Sequence, residues 1–282
     1  MKTTSYTCVL CISLLFMNCK TDSHKDTDTQ SSEIMIKESA IKNLPDSEAG
    51  EVIRKAINQM GGMENWESKK TLSYNKIIKF FDSTGTQLRE VKQLHEYQLQ
   101  PELKIKITWE EDGDSYESIN NGTQAWKFKN GEQMTSEEDK NGAWNSTFGS
   151  HYVATMPFKL TDQGAQFQYI GLDTLAKGEI VHNVKTTYAK GAGSAAGFHT
   201  WWYYFDKDTY QPVANFLDFG DGFSYIHNES FTEVDGIKLP HKRKSYRTNE
   251  ARELLYITTD YSYEDYEFDK VFDEGYFEDD NL

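Results

Sequence analysis

Between Leu103 and Trp109 the chain reads Leu-Lys-Ile-Lys-Ile-Thr-Trp. In an extended backbone Leu103, Ile105, Ile107 and Trp109 share one face, and Lys104, Lys106 and Thr108 the other. That is the pattern of an antiparallel strand buried on one side. The alternation recurs from Lys70 onward and is broken at short intervals by turn residues. These are Asp82-Ser-Thr-Gly85, Asp112-Gly113, Asn121-Gly122, Asn130-Gly131, Asp221-Gly222 and Asp235-Gly236. An Asx-Gly pair between apolar runs signals a hairpin, because the two-residue turn it favours carries the twist of the flanking strands.

About 11 strand runs follow from this reading: 70–81, 86–99, 102–111, 114–120, 123–129, 166–174, 179–189, 198–206, 212–219, 223–232 and 237–262. The last is expected as a hairpin turning at Thr248-Asn249. Residues 132–160 break the rhythm and read as a helical or looped insertion ending at Pro157. Before the strands, Asp46 or Ser47 caps a helix whose apolar stripe is Val52, Ile53, Ala56, Ile57 and Met60, and Gly61-Gly62 stops it. A shorter helical piece is expected within 33–44. The fold class is mainly β: a single curved antiparallel sheet, a half-barrel, with one or two helices over its concave face.

All three cysteines of the 282 residues, Cys8, Cys11 and Cys19, lie in the first nineteen positions. A disulfide within the folded part, a Cys-ligated zinc, a Cys nucleophile and an iron–sulfur cluster are therefore excluded. The net charge of −15 argues against nucleic acid, which needs a basic footprint. Lys2 followed by the apolar run Val9–Met17 reads as a secretory signal, too short to span a membrane. The run ends at Asn18-Cys19, which is similar to the lipobox of bacterial lipoproteins, with Phe16 and Asn18 in place of the usual Leu and small residue. This gives residues 1–18 as a lipoprotein signal peptide, 19–45 as the lipidated Cys19 with a polar tether, 46–270 as the folded domain, and 271–282 as an acidic tail. The tail reads as a solubilising end. Lys20 is not the Asp that retains well-studied lipoproteins in the inner membrane, so the outer membrane is the expected address. The leaflet side stays open.

Chemical motifs are sparse. Gly191-Ala-Gly193-Ser-Ala-Ala196 fits a permissive dinucleotide pattern, but an aromatic strand follows where a helix is needed, so it reads as a hairpin loop. By phase, His182, His199, His227 and His241 are expected on one face, with Glu229 beside His227 and Arg243 in phase with His241. A metal-dependent or general-base site using His182, His199, His227 and Glu229 is one reading of that cluster. Separate polar groups at the edge of a wet cavity are the other.

The aromatics sort by phase in the same way. One helix and the insertion do not cover about 11 strands, so an apolar cleft is expected, of the kind that takes small apolar ligands. Its expected lining is Phe80, Ile105, Trp109, Trp126, His182, His199, Trp201, Tyr203, Phe223, Tyr225 and His227.

Trp202-Tyr-Tyr-Phe-Asp206, Asp208-Thr-Tyr-Gln-Pro-Val213 and Phe231-Thr-Glu-Val-Asp-Gly-Ile-Lys-Leu-Pro240 add a further signal. With the lipobox-like Cys and the long meander, they resemble the outer-membrane lipoprotein-sorting-protein (LolA/LolB-like) superfamily over roughly 48–270. The resemblance implies a half-barrel plugged by helices, with an apolar cavity for acyl chains. The carrier's ligand-handling Arg has no counterpart that can be placed, so no functional residue is carried over. The expected function is a non-enzymatic, monomeric, lipid-anchored outer-membrane protein of a Gram-negative cell. It would bind a lipid or other hydrophobic molecule and require no cofactor. A surface or periplasmic lipoprotein that binds a glycan or protein partner is the alternative.

Overall fold

The computed structural model describes residues 39–189 and 199–279. Helices α1 (Glu48–Gln59) and α2 (Met63–Ser68) precede the strands β1 (Thr71–Phe81), β2 (Gln87–Gln98), β3 (Lys104–Glu111), β4 (Asp114–Asn120), β5 (Ala125–Lys129) and β6 (Glu132–Met134). Helix α3 (Glu137–Ala154) and a 3-10 turn (Phe158–Thr161) lead to a second run. It comprises β7 (Ala165–Thr174), β8 (Ile180–Tyr188), β9 (Thr200–Asp206), β10 (Pro212–Asp218), β11 (Phe223–Val234), β12 (Ile237–Thr248) and β13 (Leu254–Phe268).

The strands form one 13-stranded antiparallel sheet in the order β6-β5-β4-β3-β2-β1-β13-β12-β11-β10-β9-β8-β7. It is curved and open, with β6 and β7 at its two edges, as the alternation predicts. The run at 237–262 is indeed a hairpin, longer than expected. The short β6 inside the 132–160 insertion is the strand that alternation missed. Asp112, Asn130 and Asp235 each take a left-handed φ, between 50° and 54°, ahead of their glycines, as tight hairpin turns require.

The order explains why a helix crosses the sheet. Each wing is a meander, but the chain leaves β6 at one edge and re-enters as β7 at the other. The insertion must therefore return across a sheet face, and α3 does so. It packs on β3, β4 and β5 at its start, and reaches β8 and β9 at its end. Ser136 caps it, its Oγ accepting from the Asp139 N–H at 3.1 Å.

Helix α1 covers the same face. The Ser47 Oγ accepts from the Gly50 N–H at 3.3 Å, and Val52, Ile53, Ala56 and Ile57 are buried, with Met60 just beyond the helix. The end of α1 abuts the β11–β12 turn, where the Lys238 N–H donates to the Met60 carbonyl at 2.9 Å. Gly61 has φ 119°, and a Cβ there would stand 2.4 Å from the Gly236 carbonyl oxygen, so only glycine allows this approach. Of the helical piece expected within 33–44, the described part is a 3-10 turn at Ala40–Asn43. The signal peptide, Cys19, most of the tether and the 191–196 motif lie outside the described residues.

The end of the chain corrects an expectation. The described part of 271–282 is not a solvated tail. Phe272, Tyr276 and Phe277 pack on Ile119, Trp126 and Phe128, on the sheet face opposite the helices. Polar contacts hold them there, the Asn121 amide donating to Glu278 at 2.7 Å among them. The Lys104 ammonium lies 2.6 Å from Glu278, the Tyr276 hydroxyl donates to Glu96 at 2.5 Å, and Lys270 pairs with Glu96 at 2.6 Å. Acidic composition concealed three aromatics spaced to grip a sheet.

Candidate functional site

The helix-covered face, called the inner face below, carries an unusual amount of aromatic hydroxyl. Tyr74 and Tyr97 share a hydrogen bond of 2.8 Å, and the Tyr97 hydroxyl lies 2.9 Å from His95 Nδ1. Tyr74 stacks on the His95 ring at 4.9 Å and lies against Tyr263 and Tyr266. Burial holds the Tyr74 hydroxyl far above the usual phenol range. The same burial, with the nearby Lys76 ammonium, holds His95 well below the usual imidazole range.

Helix α3 joins the core at its end, through Tyr152 and Ala154, and elsewhere meets this floor through polar groups. The Tyr152 hydroxyl bonds the Tyr203 hydroxyl at 2.8 Å and also the Tyr188 hydroxyl. Asn120 donates to the Thr147 hydroxyl at 3.1 Å, and Lys127 pairs with Asp139 at 3.5 Å. His151 packs on the Tyr97 ring at 5.2 Å, and among the described residues neither of its ring nitrogens has a hydrogen-bond partner. Burial, and secondly Lys159, push its pKa well below the usual imidazole range.

Two cations are buried on this floor. Lys76 is 6% exposed, with its ammonium 5.1 Å and 5.8 Å from the centres of the Tyr261 and Tyr263 rings. Arg243 is 4% exposed and donates to the Val153 carbonyl of α3 at 3.0 Å and to Asn215 Oδ1 at 3.3 Å.

Space on the inner face is uneven. Between the end of α3 and β9–β12 only about 20 Å³ is free, in a pocket touching Val153, Phe205, Phe231 and Arg243, roughly the room of one water. Beside the middle of α3 a cleft of about 380 Å³ opens between Trp144, Phe148, Leu103, Ile105 and Asn120. That lies within the range of small-molecule sites. A groove of about 680 Å³ on the outer face has polar walls, among them Lys92, Glu110 and Glu117.

The residues expected to line one cavity divide between the two faces. Ile105, Trp201 and Tyr203 are buried on the inner face. Trp109 is half-buried there, stacked on Tyr116 at 5.2 Å. Phe80 shares that face by register, at the far end of β1 and outside the core, under the Arg89 guanidinium at 4.1 Å. His182 stacks on Tyr210 at 4.9 Å and hydrogen-bonds the Tyr169 hydroxyl. His199 immediately precedes β9, and partial burial lowers its pKa.

Trp126, Phe223, Tyr225 and His227 are on the outer face, which corrects the expected placement. Trp126 pairs with Ile119 and lies beneath Phe277, whereas its neighbour Ala125 pairs with the inward-facing Asn120. In β11 a bulge between Asn228 and Phe231 inverts the phase, so Phe231 joins the inner core while Tyr225 packs with Tyr204, Phe216 and the half-buried Phe223 outside.

The histidines therefore do not meet. His227 bridges Glu179 and Glu229, each at 3.1 Å, and Lys177 pairs with Glu229 at 2.8 Å, an arrangement that pins the β7–β8 hairpin tip to the outer face. His241 is bonded to the Tyr263 carbonyl instead. Among the described residues no group of three or more His, Cys, Asp or Glu could hold a metal ion. Sequence reading missed Lys76, whose signal was a lysine in the apolar phase of Leu72, Tyr74, Ile78 and Phe80. It also missed Tyr152 and His151 of α3, for which no periodicity gave a signal.

No protein-family model matches the chain, and no curated protein matches it. Solved structures do. A LolA superfamily protein from Nitrosomonas europaea aligns with a TM-score of 0.52 and 11% identity, over 83% of this chain and 99% of that one. An outer membrane lipoprotein-sorting protein domain from Vibrio parahaemolyticus gives a TM-score of 0.51 and 10% identity, over 80% of this chain and 97% of its own length. A DUF1329 family protein from Desulfovibrio piger gives a TM-score of 0.51 and 12% identity, over 82% and 97%. The likeness is one of fold, and it is the fold that the resemblance in the sequence implied. Among the described residues no helix is long and apolar enough to cross a membrane.

Proposed function

We propose that this chain is an outer-membrane lipoprotein, anchored through Cys19, that binds a lipid or other hydrophobic molecule between α3 and the inner face of its sheet. The observation that carries the reading is the nature of the α3 contact. An aromatic floor is covered by a helix that, apart from Tyr152 and Ala154 at its end, holds on through hydroxyls, an amide and one ion pair, and a ligand-sized cleft already opens beside its middle. Such contacts exchange for water at little cost, so the cover can lift and present the floor to an acyl chain. The shared fold supports the same reading. Binding and release need no group transfer, so the protein acts without catalysis.

Native mass spectrometry of the full chain purified from its own cells tests this directly. A co-purifying hydrophobic molecule is expected. No bound molecule, together with no uptake of an environment-sensitive apolar dye, would refute the reading. The anchor is tested separately: Cys19→Ser is expected to abolish incorporation of a labelled fatty acid and to release the protein from the membrane fraction.

A further inference from the structure

Lys76 and Arg243 stand on the strands either side of β13, Lys76 opposite Tyr263 and Arg243 opposite Tyr261. Among the described residues neither makes an ion pair. Lys76 meets only ring faces, and Arg243 only a carbonyl and an amide oxygen. The chain is rich in acidic residues, yet none of the described ones pairs with either buried charge. A buried charge without a counter-ion is costly, by several kcal/mol in general, so its retention calls for an explanation.

The neutral groups around them point the same way. Among the described residues, the buried polar atoms of the inner face that lack a protein partner include three N–H donors, Trp201 Nε1, Arg243 Nε and Asn215 Nδ2, beside the Thr186 hydroxyl and the neutral His151 ring, which offers one donor and one acceptor. The outer face instead leaves the acceptors Glu179 Oε2 and Asn183 Oδ1 without partners. The inner floor thus has an excess of positive charge and more unpartnered N–H donors than unpartnered acceptors.

We propose that Lys76 and Arg243 form an anion-recognition end of the inner-face site, so that the ligand is an amphiphile with an acidic head, a carboxylate or a phosphate monoester. The inference rests on the ligand-binding reading above and names the class of molecule that site takes. The guanidinium offers the acidic head a charge-assisted hydrogen bond through its free Nε–H, and Lys76 supplies a second charge from the other side of β13. Because Arg243 also holds the Val153 carbonyl, an arriving anion competes for the group that fastens the end of α3. Head recognition and lifting of the helix become one event.

Four probes of equal chain length separate the possibilities when titrated into the full chain: hexadecanoate, hexadecyl phosphate, methyl hexadecanoate and hexadecyltrimethylammonium. Both anions are expected to bind at least about tenfold more tightly than the ester, the equivalent of one charge-assisted contact. The stronger of the two anions tells carboxylate from phosphate. Lys76→Met is expected to narrow the preference, and Lys76→Met with Arg243→Met to erase it, while ester affinity is kept. Equal binding of ester and anions by the native chain would overturn the inference and leave the ligand reading standing. Anion preference that survives the double substitution would overturn it too. Failure of every probe to bind would remove both. If Arg243→Met does not fold, Lys76→Met alone decides, since Lys76 makes no hydrogen bond whose loss could unfold the chain.

Discussion

Helices α1 and α3 cover the same sheet face by opposite means. α1 presents Val52, Ile53, Ala56 and Ile57 to the core, all nearly inaccessible to water, and its charged residues face solvent. α3 is longer, but it buries Ala143, Thr147, His151, Tyr152 and Ala154, contains two glycines, and meets the sheet through side-chain hydrogen bonds. Apolar burial is worth roughly 1.5–3 kcal/mol for each large side chain, whereas a hydrogen bond exchanged with water is worth about 1 kcal/mol. Packing makes α1 part of the core. Polar contact makes α3 a cover that can be exchanged.

The sharpest way to break this contrast is to cut into each helix. Ile57→Ala is expected to cost about 2–5 kcal/mol in denaturant unfolding, and to lower the whole transition rather than a local one. A loss under about 1 kcal/mol would show that α1 is not core. Hydrogen exchange is the next test. Amides of α1 should exchange only with global unfolding, and those of α3 through a local opening roughly 2–3 kcal/mol cheaper. Equal protection of the two helices would remove the lid.

Acid should distinguish them again. His151 on the buried side of α3 and His95 on the floor have folded pKa values held well below the ordinary 6.5. Unfolding lets both take up a proton, so stability is full above pH 6.5 and falls as the pH drops below it. The slope approaches about 1.4 kcal/mol per pH unit for each histidine. His151→Gln should flatten the acid limb of stability against pH and should slow the opening of α3 at pH 5.5. An unchanged acid limb would mean that His151 is not buried as neutral imidazole. The smallest effect is expected for Tyr203→Phe, which deletes the hydroxyl bonded to Tyr152. It should cost about 1 kcal/mol and speed exchange in α3 while leaving α1 unaltered.

Much of this architecture was written in local pattern. The Leu103–Trp109 alternation, the Asx-Gly turns and the stripe of α1 each depend on neighbours within a few residues, and each proved correct. What failed needed information from far along the chain. Phase shows which residues share a face only while a strand is unbroken, and the bulge before Phe231 carried Tyr225 and His227 to the other side. Trp126 was misplaced because the outer face is also covered, by Phe277, more than a hundred residues later. A sheet buried on both sides loses the polar–apolar contrast that marks one face. Of the candidate site, Ile105, Trp201, Tyr203 and the phase of Arg243 were legible. Lys76 was not, because a single lysine in an apolar run looks like an interruption until its surroundings are seen. α3 was not, because its contacts are polar and polar residues carry no periodic signal.

The pairing of β1 with β13 has a consequence for how the molecule comes into being. The central seam joins the first strand to the last, and Leu72 finds Phe268 only when nearly all the chain is available. Each wing can assemble from sequence neighbours as it emerges, but the middle of the sheet is the final thing to close. A chain stopped before β13 therefore yields two unjoined ribbons, each with a bare edge where the finished sheet has its central seam.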